Sequence, residues 1–362
     1  MCLGILSDAV ASDSDSGWDL LAPLPDAVGF SGMFAGVLQG QLIAGGGARW
    51  DKPSWNDGIK FYSDKLWSLA SPESAWKEVP LKLPIAGSNF ANAATSGAIY
   101  LAGGVTPEEV LKSVYVLRQD GEDRGWDRLA DLPSPLGYAC ASIVNGRLYV
   151  IGGLSNLASR SPSREVWSLK VGSKETAETW QREADLPGRG VFVPMSTGIG
   201  MNLYVFGGMA VDDEGHNDPS RSAYCLNSIT GEWRELADLP EPRVGAITPA
   251  PVMNDGRILV AGGYSEVFHG SQRDHPGFDV RTFLYDPETN TWSDGPHLPK
   301  SPVIDRDAAG DAGPAPMLGA PSGVWRGLIV AISGEVRSSV RSPQVLALPL
   351  SSTVVESSSF SK

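Results

Sequence analysis

The sequence predicts an all-β protein, a six-bladed β-propeller whose N-terminal strand closes the last blade. Two phrases alternate along the 362 residues. A Trp followed six or seven residues later by Leu-Pro occurs six times, beginning at Trp18, Trp76, Trp126, Trp180, Trp233 and Trp292. A β-rich run ending in paired glycines reaches Gly47, Gly104, Gly153, Gly208 and Gly263, and a degenerate sixth copy ends at Glu335. Such repetition is typical of propellers, in which each repeat builds one four-stranded blade.

The spacing of the tryptophans identifies the type of repeat. Successive copies are 58, 50, 54, 53 and 59 residues apart, which matches the kelch repeat of about 50 residues. A single blade cannot bury both of its faces without neighbours, so the repeats predict one domain over residues 17–350. The Ser-rich ends, 1–16 and 351–362, are expected to be flexible.

Each repeat divides into four strands, as the third one illustrates. Residues 138–144 alternate as a first strand, Asn145-Gly146 predicts a tight hairpin turn, and residues 147–153 form the second strand. The third strand is expected at 165–169, and the fourth begins near Trp180. The recurrent Trp is expected to pack between neighbouring blades.

The two ends of the repeat array predict how the ring closes. The last repeat has strands near 315–321, 327–333 and 344–348, but no Trp phrase follows them. The first Trp phrase, 18–25, precedes every blade. It therefore supplies the fourth strand of the last blade, because this closure removes an open sheet edge.

Connection lengths distinguish the two ends of the propeller. The turns between first and second strands are short, whereas the connections after the second strands are long at 48–62, 209–222 and 264–280. The connection 300–314 opens on the same side. Long loops at one end of a rigid ring are where a site is expected, so we place function at the axial mouth on that side.

Composition excludes several classes of function. The formal net charge is −13 and no Lys/Arg cluster interrupts it, which argues against nucleic-acid binding. No apolar run is long enough to span a membrane. Cys2, Cys140 and Cys225 show no metal or disulfide pattern, and the latter two lie in strand patterns as small buried side chains. No leader peptide is evident, which leaves a cytoplasmic location or a periplasmic one with the leader removed.

One segment at the mouth combines an acid with two bases. The loop predicted after the second strand of the last repeat, 333–345, carries Glu335, Arg337 and Arg341. A carboxylate beside guanidinium groups provides a general acid/base and an anion clamp. A solvated ion pair is the alternative.

Other mouth segments supply binding candidates. Arg273 and Arg306 are potential anion contacts, and Trp50 could stack on a sugar ring, as could Trp55 and Tyr62. No metal is expected, because His269 and His275 lack further ligands at suitable spacing and the acidic run 212–214 lacks the pattern of a calcium loop.

These residues resemble a known family, the kelch-type N-acetylneuraminate epimerases or sialic acid mutarotases, in a cyclically permuted form. The similar segments are 29–47 with the loop that follows, 202–208, 281–292 and 333–345. The family's active site has a Glu and, six residues later, an Arg, which correspond to Glu335 and Arg341. The resemblance implies interconversion of the anomers of N-acetylneuraminate or a related sugar acid by proton transfer, without a cofactor. It also implies that Glu335 is the acid/base and that Arg341 holds the substrate carboxylate. Other residues expected at the mouth, Arg337, Arg273, Arg306 and Trp50, would contact the substrate.

Two other functions fit the same predicted fold. A non-catalytic kelch propeller could bind a protein or a glycan, since a propeller fold does not determine function. A copper oxidase would need a redox Tyr–Cys pair and two His ligands on mouth loops. Neither Cys140 nor Cys225 lies in such a loop, which argues against the oxidase.

Overall fold

The computed structural model describes residues 16–121, 123–158, 161–172, 178–300, 307–310 and 317–351. It is a six-bladed β-propeller, as the repeats predict. The predicted flexible ends fall almost entirely outside these residues, as do Cys2 and Arg306. The described residues contain no α-helix, only two 3-10 turns at Ser54–Asn56 and Gln272–Asp274. None of their helices is long and apolar enough to cross a membrane.

Six antiparallel sheets form the blades, and the strands of each blade follow one another outward from the axis. Blade 1 contains Ser31–Leu38, Gln41–Trp50, Leu66–Leu69 and Lys77–Val79. Blade 2 contains Ala91–Thr95, Ala98–Ala102, Val114–Asp120 and Asp123–Leu129. Blade 3 contains Cys140–Val144, Arg147–Ile151, Val166–Lys170 and Gln181–Arg182.

The second half of the ring repeats this plan with one irregular member. Blade 4 contains Met195–Ile199, Asn202–Phe206, Ala223–Asn227 and Trp233–Glu235. Blade 5 contains Ile258–Val260, Phe283–Asp286 and Thr291–Asp294. Blade 6 contains Ser322–Trp325, Leu328–Arg337, Val340–Pro349 and Asp19–Leu21. Additional short strands in mouth loops are Lys60–Tyr62, Met209–Val211 and Asn217–Pro219.

The innermost segment of blade 5 is irregular because of its prolines. Pro249 and Pro251 have no N–H to donate, which interrupts a regular ladder. The segment nevertheless keeps its place, since Ile247 N–H donates to Ala261 O at 2.9 Å and Leu259 N–H donates to Pro251 O at 2.8 Å.

The N-terminal strand closes the ring, which confirms that prediction. Asp19–Leu21 is the outermost strand of blade 6 and pairs antiparallel with Val340–Pro349, with Leu20 opposite Leu346. The prediction that residues 315–321 form the first strand of this blade was wrong. The strand is Ser322–Trp325, because Pro321 offers no N–H to a ladder.

The segment predicted as a mouth loop in blade 6 is also corrected. The second and third strands continue to Arg337 and start again at Val340, so 333–345 is a β-hairpin. Two irregularities in register, one between Ile332 and Gly334 and one between Glu335 and Arg337, bend it. A paired hairpin holds its side chains more rigidly than a loop would.

The Trp phrases join neighbouring blades, as expected. Five indole N–H groups donate at 2.8–3.0 Å to a carbonyl of the preceding blade, in the pairs Trp18 to Pro296, Trp76 to Ala22, Trp180 to Ala130, Trp233 to Ala184 and Trp292 to Ala237. Trp126 is the exception: within the described part of the chain its buried indole nitrogen has no hydrogen-bond partner. The phrase it faces, from Trp76 to Pro84, is one residue longer than the others.

A second closed ring lies nearer the axis. One residue at the start of each innermost segment donates its backbone N–H, at 2.7–3.2 Å, to its counterpart in the preceding blade. We call these residues the axial ring: Gly32, Asn89, Tyr138, Val193, Gly245 and Gly319. All six have positive φ between 48° and 68°, a conformation that suits glycine and strains other side chains. Six hydrogen bonds therefore link all six blades around the axis.

Candidate functional site

Glu335 occupies a position that the repeat makes directly comparable among blades. It follows Ser333-Gly334, which takes the place of the glycine pair of the other blades, and the equivalent residues are Ala48, Val105, Leu154, Met209 and Tyr264. Each pairs through its backbone with the residue just before the axial ring. Four of these residues are apolar and buried. Tyr264 and Glu335, in the adjacent blades 5 and 6, are polar, so the repeat departs from its own pattern at this part of the mouth.

Glu335 and Arg341 are paired across the blade 6 hairpin. They lie directly opposite each other in the ladder, and Glu335 Oε1 is 3.0 Å from Arg341 Nη1. The same oxygen accepts the Ser339 N–H at 2.7 Å, and Arg341 Nε donates to Ala48 O at 3.2 Å. The Arg341 side chain is 5% exposed and that of Glu335 is 18% exposed. The pair is therefore a shielded, fixed ion pair, and the carboxylate is its more accessible partner.

Four further polar side chains lie within electrostatic reach of Glu335. Burial raises the pKa of Tyr138 to about 12, with contributions from Tyr62 and Glu335. Burial also raises the pKa of Tyr264 to about 12, and Glu335 adds to this shift. A phenol and a carboxylate influence each other in this way because two negative charges repel.

The pKa values of two basic side chains near Glu335 shift in the opposite direction. Burial lowers the pKa of Lys60, Arg341 lowers it further, and Glu335 opposes both. Burial likewise lowers the pKa of His275, with Glu335 opposing and Arg337 adding to the shift. We call the group the mouth cluster: Glu335, Arg341, Lys60, Tyr138, Tyr264 and His275.

The predicted binding residue Trp50 lies on the face that carries Lys60. Directly opposed residues of a hairpin share a face, and Trp50 is opposite Lys60 while Ala48 is opposite Tyr62. Lys60 Nζ is 5.3 Å from the centre of the Tyr62 ring. Arg49 points to the other face, where its guanidinium lies 5.8 Å from the Phe30 ring. Trp50 thus borders the mouth cluster.

The predicted binding residues Arg337 and Arg273 are placed differently. Arg337 is 2% exposed and lies opposite Val340 in the blade 6 hairpin. Arg273 is half exposed, and its Nε and Nη2 each lie 2.8 Å from an oxygen of Asp307, which also accepts the Trp55 indole N–H at 3.3 Å. Arg273 therefore joins loops of the rim. Arg306 lies outside the described residues.

Neither histidine-containing loop assembles a metal-binding set. Across the described ranges, no group of three or more His, Cys, Asp or Glu side chains is placed to hold a metal ion. His275 Nδ1 accepts the Gly277 N–H at 3.0 Å, which leaves Nε2 as the protonated nitrogen of the neutral ring. Asp212 accepts the His216 N–H at 2.7 Å within a turn.

The two cysteines that the structure describes, Cys140 and Cys225, are free and buried in strands, as expected. Burial raises the pKa of Cys140 to about 12. A protonated, enclosed thiol is inert, so its role is packing.

A cavity of about 530 Å³ lies elsewhere, on the mouth side of blade 4. Its lining includes Arg189, Asp218, Arg221 and Tyr224, and no member of the mouth cluster. The Arg189–Asp218 ion pair, at 2.8 Å, belongs to its wall. We place the candidate site at the mouth cluster, because acid, base and hydroxyl groups converge there.

Sequence reasoning missed Tyr138, Tyr264 and Lys60, and considered His275 only as a metal ligand. An alignment of the six repeats would have exposed Tyr264, since apolar side chains fill four equivalent positions. It would also have shown Tyr138 where three repeats have glycine. Lys60 carries no such signal, because its loop has no counterpart of equal length.

Comparison with known proteins supports a kelch propeller. A Kelch motif matches residues 198–240. The chain is 25% identical over 228 residues to beta-scruin of Limulus polyphemus, which covers 62% of this chain and 24% of that protein. It is 26% identical over 304 residues to Kelch-like protein 15 of Danio rerio, with coverages of 78% and 45%. It is 25% identical over 239 residues to the N-acetylneuraminate epimerase of Pasteurella multocida (strain Pm70), with coverages of 59% and 56%.

These relatives differ in length and description. The chain spans between about a quarter and just over half the length of the three curated relatives. The similarity covers proteins described as an epimerase, as scruin and as Kelch-like. It therefore supports the kelch architecture already seen in the blades, and the protein is a kelch-type six-bladed β-propeller.

Proposed function

We propose that this propeller is a mutarotase that interconverts the anomers of a sugar acid, N-acetylneuraminate or a related sialic acid. The observation that carries the proposal is the Glu335–Arg341 pair, a shielded acid and base at a position where four blades have apolar side chains. The distant similarity to the Pasteurella epimerase supports the same conclusion.

Glu335 is the proposed proton-transfer group. It accepts the proton of the anomeric hydroxyl while a water molecule delivers a proton to the ring oxygen, and the bond between the anomeric carbon and the ring oxygen breaks. Rotation about one carbon–carbon bond exposes the other face of the carbonyl, and the reverse transfers close the ring. One well-placed acid/base group contributes ~10²–10⁴-fold, which suffices for a reaction that already proceeds in water.

Arg341 and Lys60 provide positive charge beside this carboxylate. The Arg341 guanidinium already holds Glu335 Oε1 and Ala48 O, so it orients the acid/base group. Lys60, whose pKa burial and Arg341 lower, makes no hydrogen bond or ion pair that the described residues reveal. We assign the substrate carboxylate to the edge between these two cations, which favours an anionic sugar over a neutral one.

The test is the rate of anomer equilibration. N-acetylneuraminate is released as its α-anomer, and NMR follows the approach to equilibrium with and without protein. Wild type should accelerate it. Glu335→Gln keeps an acceptor for the Ser339 N–H but cannot transfer the proton, so the acceleration should vanish while the sugar still binds. Equal rates for wild type and Glu335→Gln would exclude Glu335 from the chemistry.

A second substitution protects this test against misfolding. Glu335→Gln leaves the buried Arg341 guanidinium without its counter-charge, which can cost several kcal/mol. Glu335→Asp keeps the charge but withdraws the carboxylate by one methylene. It should remain folded and lose most of the acceleration, because proton transfer depends on hydrogen-bond distance.

A binding module remains the second candidate, and exposed apolar side chains favour it. Ile59, Phe61 and Phe268, on mouth loops, are 61%, 47% and 40% exposed. Such side chains are typical of protein contacts when they cluster. Wild type that neither accelerates anomer exchange nor binds a sugar acid would select this candidate.

A further inference from the structure

We propose that Tyr138 and Tyr264 bind the ligand through their hydroxyl groups, from blades 3 and 5 of the axial mouth, and so select a polyhydroxylated molecule. This inference rests on the proposed function, since it assigns both contacts to the site of Glu335. Neither residue belongs to the acid/base pair, and each is fixed by its place in the repeat.

Tyr264 stands beside Glu335 in the blade arrangement. Tyr264 follows Gly262-Gly263 in blade 5, and Glu335 follows Ser333-Gly334 at the equivalent place in blade 6. Both pair through their backbones with a residue that precedes the axial ring. The Tyr264 ring is stacked on the Phe278 ring, with 6.1 Å between ring centres, and the His275 ring centre lies 5.1 Å from that of Phe278. This aromatic stack fixes the phenol while leaving its oxygen free to meet a ligand.

Tyr138 stands across the mouth. It is the axial-ring residue of blade 3, three blades from Glu335, and its backbone is held at both sides by ring hydrogen bonds to Asn89 and Val193. Its φ of 60° strains a side chain of this size, and three other blades avoid that strain with glycine. Together with the absence, among the described residues, of a protein partner for its hydroxyl, this strained placement is consistent with ligand contact by the Tyr138 side chain.

The two hydroxyls have no hydrogen-bond partner among the residues that the structure describes. Tyr285 shows the contrasting structural case, since its hydroxyl donates to Asn290 Oδ1 at 2.7 Å. Both phenols have a pKa raised to about 12, so at neutral pH each offers one donor and one acceptor. Half-buried hydroxyls without protein partners are suited to exchange hydrogen bonds with ligand hydroxyls.

Half of the axial ring carries no side chains. Its three glycines, Gly245, Gly319 and Gly32, form one continuous arc through blades 5, 6 and 1, next to Glu335. A Cβ at Gly245 would lie 2.3 Å from Leu318 Cδ1, and one at Gly319 would lie 2.9 Å from Ser31 Oγ. The part of the axial ring next to Glu335 therefore consists of backbone alone, whereas Tyr138 belongs to the opposite arc. We place the ligand between the Tyr138 and Tyr264 hydroxyls, with one edge at Glu335.

The experiment compares Tyr138→Phe and Tyr264→Phe with Tyr149→Phe. Each substitution removes only an oxygen, and Tyr149 is a buried strand residue of blade 3 whose charged neighbours are Glu183 and Arg147, not Glu335. The probes are N-acetylneuraminate, glucuronate and N-acetylglucosamine. Calorimetry measures Kd, and NMR exchange measures kcat and KM.

We expect each of the two mouth substitutions to raise Kd and KM for N-acetylneuraminate about tenfold, with kcat changed less than threefold. Tyr149→Phe should match wild type. If wild type catalyses anomer exchange and both mouth variants bind as tightly as wild type, the tyrosine inference is overturned while the proposed function stands.

The remaining outcomes separate the two claims. If wild type binds only another of the probes and the mouth variants weaken that binding, the tyrosine contacts stand and the proposed function fails. If wild type binds none of the three sugars, both are overturned. If only one of the two variants binds the sugar more weakly, that tyrosine is a ligand contact and the other is not.

Discussion

A comparison of two tryptophans tests how the Trp phrases stabilise the propeller. Trp180 and Trp126 are both half-buried and occupy equivalent positions in adjacent blades. The Trp180 indole N–H donates to Ala130 O at 2.9 Å, whereas the buried Trp126 indole nitrogen has no hydrogen-bond partner within the described ranges. Substituting each by Phe removes a similar apolar area and one indole N–H. That N–H is hydrogen-bonded in Trp180 and has no partner among the described residues in Trp126.

The expected difference follows from the hydrogen bond alone. Both variants lose part of an aromatic surface, worth about 25 cal/mol per Å², and this loss largely cancels between them. Trp180→Phe also leaves the Ala130 carbonyl without its donor, which costs about 1 kcal/mol or more. Trp126→Phe removes an N–H that lacks a partner, which recovers a desolvation cost of similar size. Trp180→Phe should therefore be less stable than Trp126→Phe by about 1–3 kcal/mol.

Urea unfolding followed by far-UV circular dichroism measures this difference. The midpoints should differ while the slope of free energy against urea stays the same, which shows that the unfolded states are comparable. Equal midpoints, or a lower one for Trp126→Phe, would refute the view that the indole hydrogen bonds between blades stabilise the ring.

Three further predictions concern closure, strain and pH. Deleting residues 1–25 should lower the unfolding midpoint strongly relative to deleting 1–15, because it removes the outermost strand of blade 6; equal midpoints would contradict closure. Gly245→Ala should destabilise by about 1–3 kcal/mol, since φ is +65° and the new Cβ meets Leu318, whereas Gly125→Ala, with nothing within 4 Å, should be nearly neutral. The folded-state pKa of His275 is below 6.5, so stability is present above that pH and falls as pH decreases from about 7 to 5. His275→Asn should flatten this dependence in pH-dependent urea unfolding; a slope identical to that of wild type would reject the assignment.

The repeat alone was sufficient to predict the fold. Blade number, ring closure and the end that carries long loops all follow from the spacing of Trp18 to Trp292 and from the missing last Trp phrase. The prediction succeeds because each repeat encodes its own strand pairs, and each blade can bury its faces only against the neighbouring blades. Boundaries were less predictable: 333–345 was expected as a loop and forms a hairpin, because pairing continues past the glycine position.

The candidate site divides along the same line. Sequence alone predicted that Glu335 and Arg341 lie at the axial mouth, since their place in the last repeat indicates the blade and its end. Only the tertiary structure showed that Arg341 is buried against Glu335, that Arg273 pairs with Asp307, and that Tyr138 faces the pair from three blades away. Tyr138 and Glu335, almost 200 positions apart in sequence, come within electrostatic reach of each other because a ring brings every repeat to one axis. The sequence repeat gives the number and spacing of the blades. It does not show which side chains from distant blades lie close together at the axis.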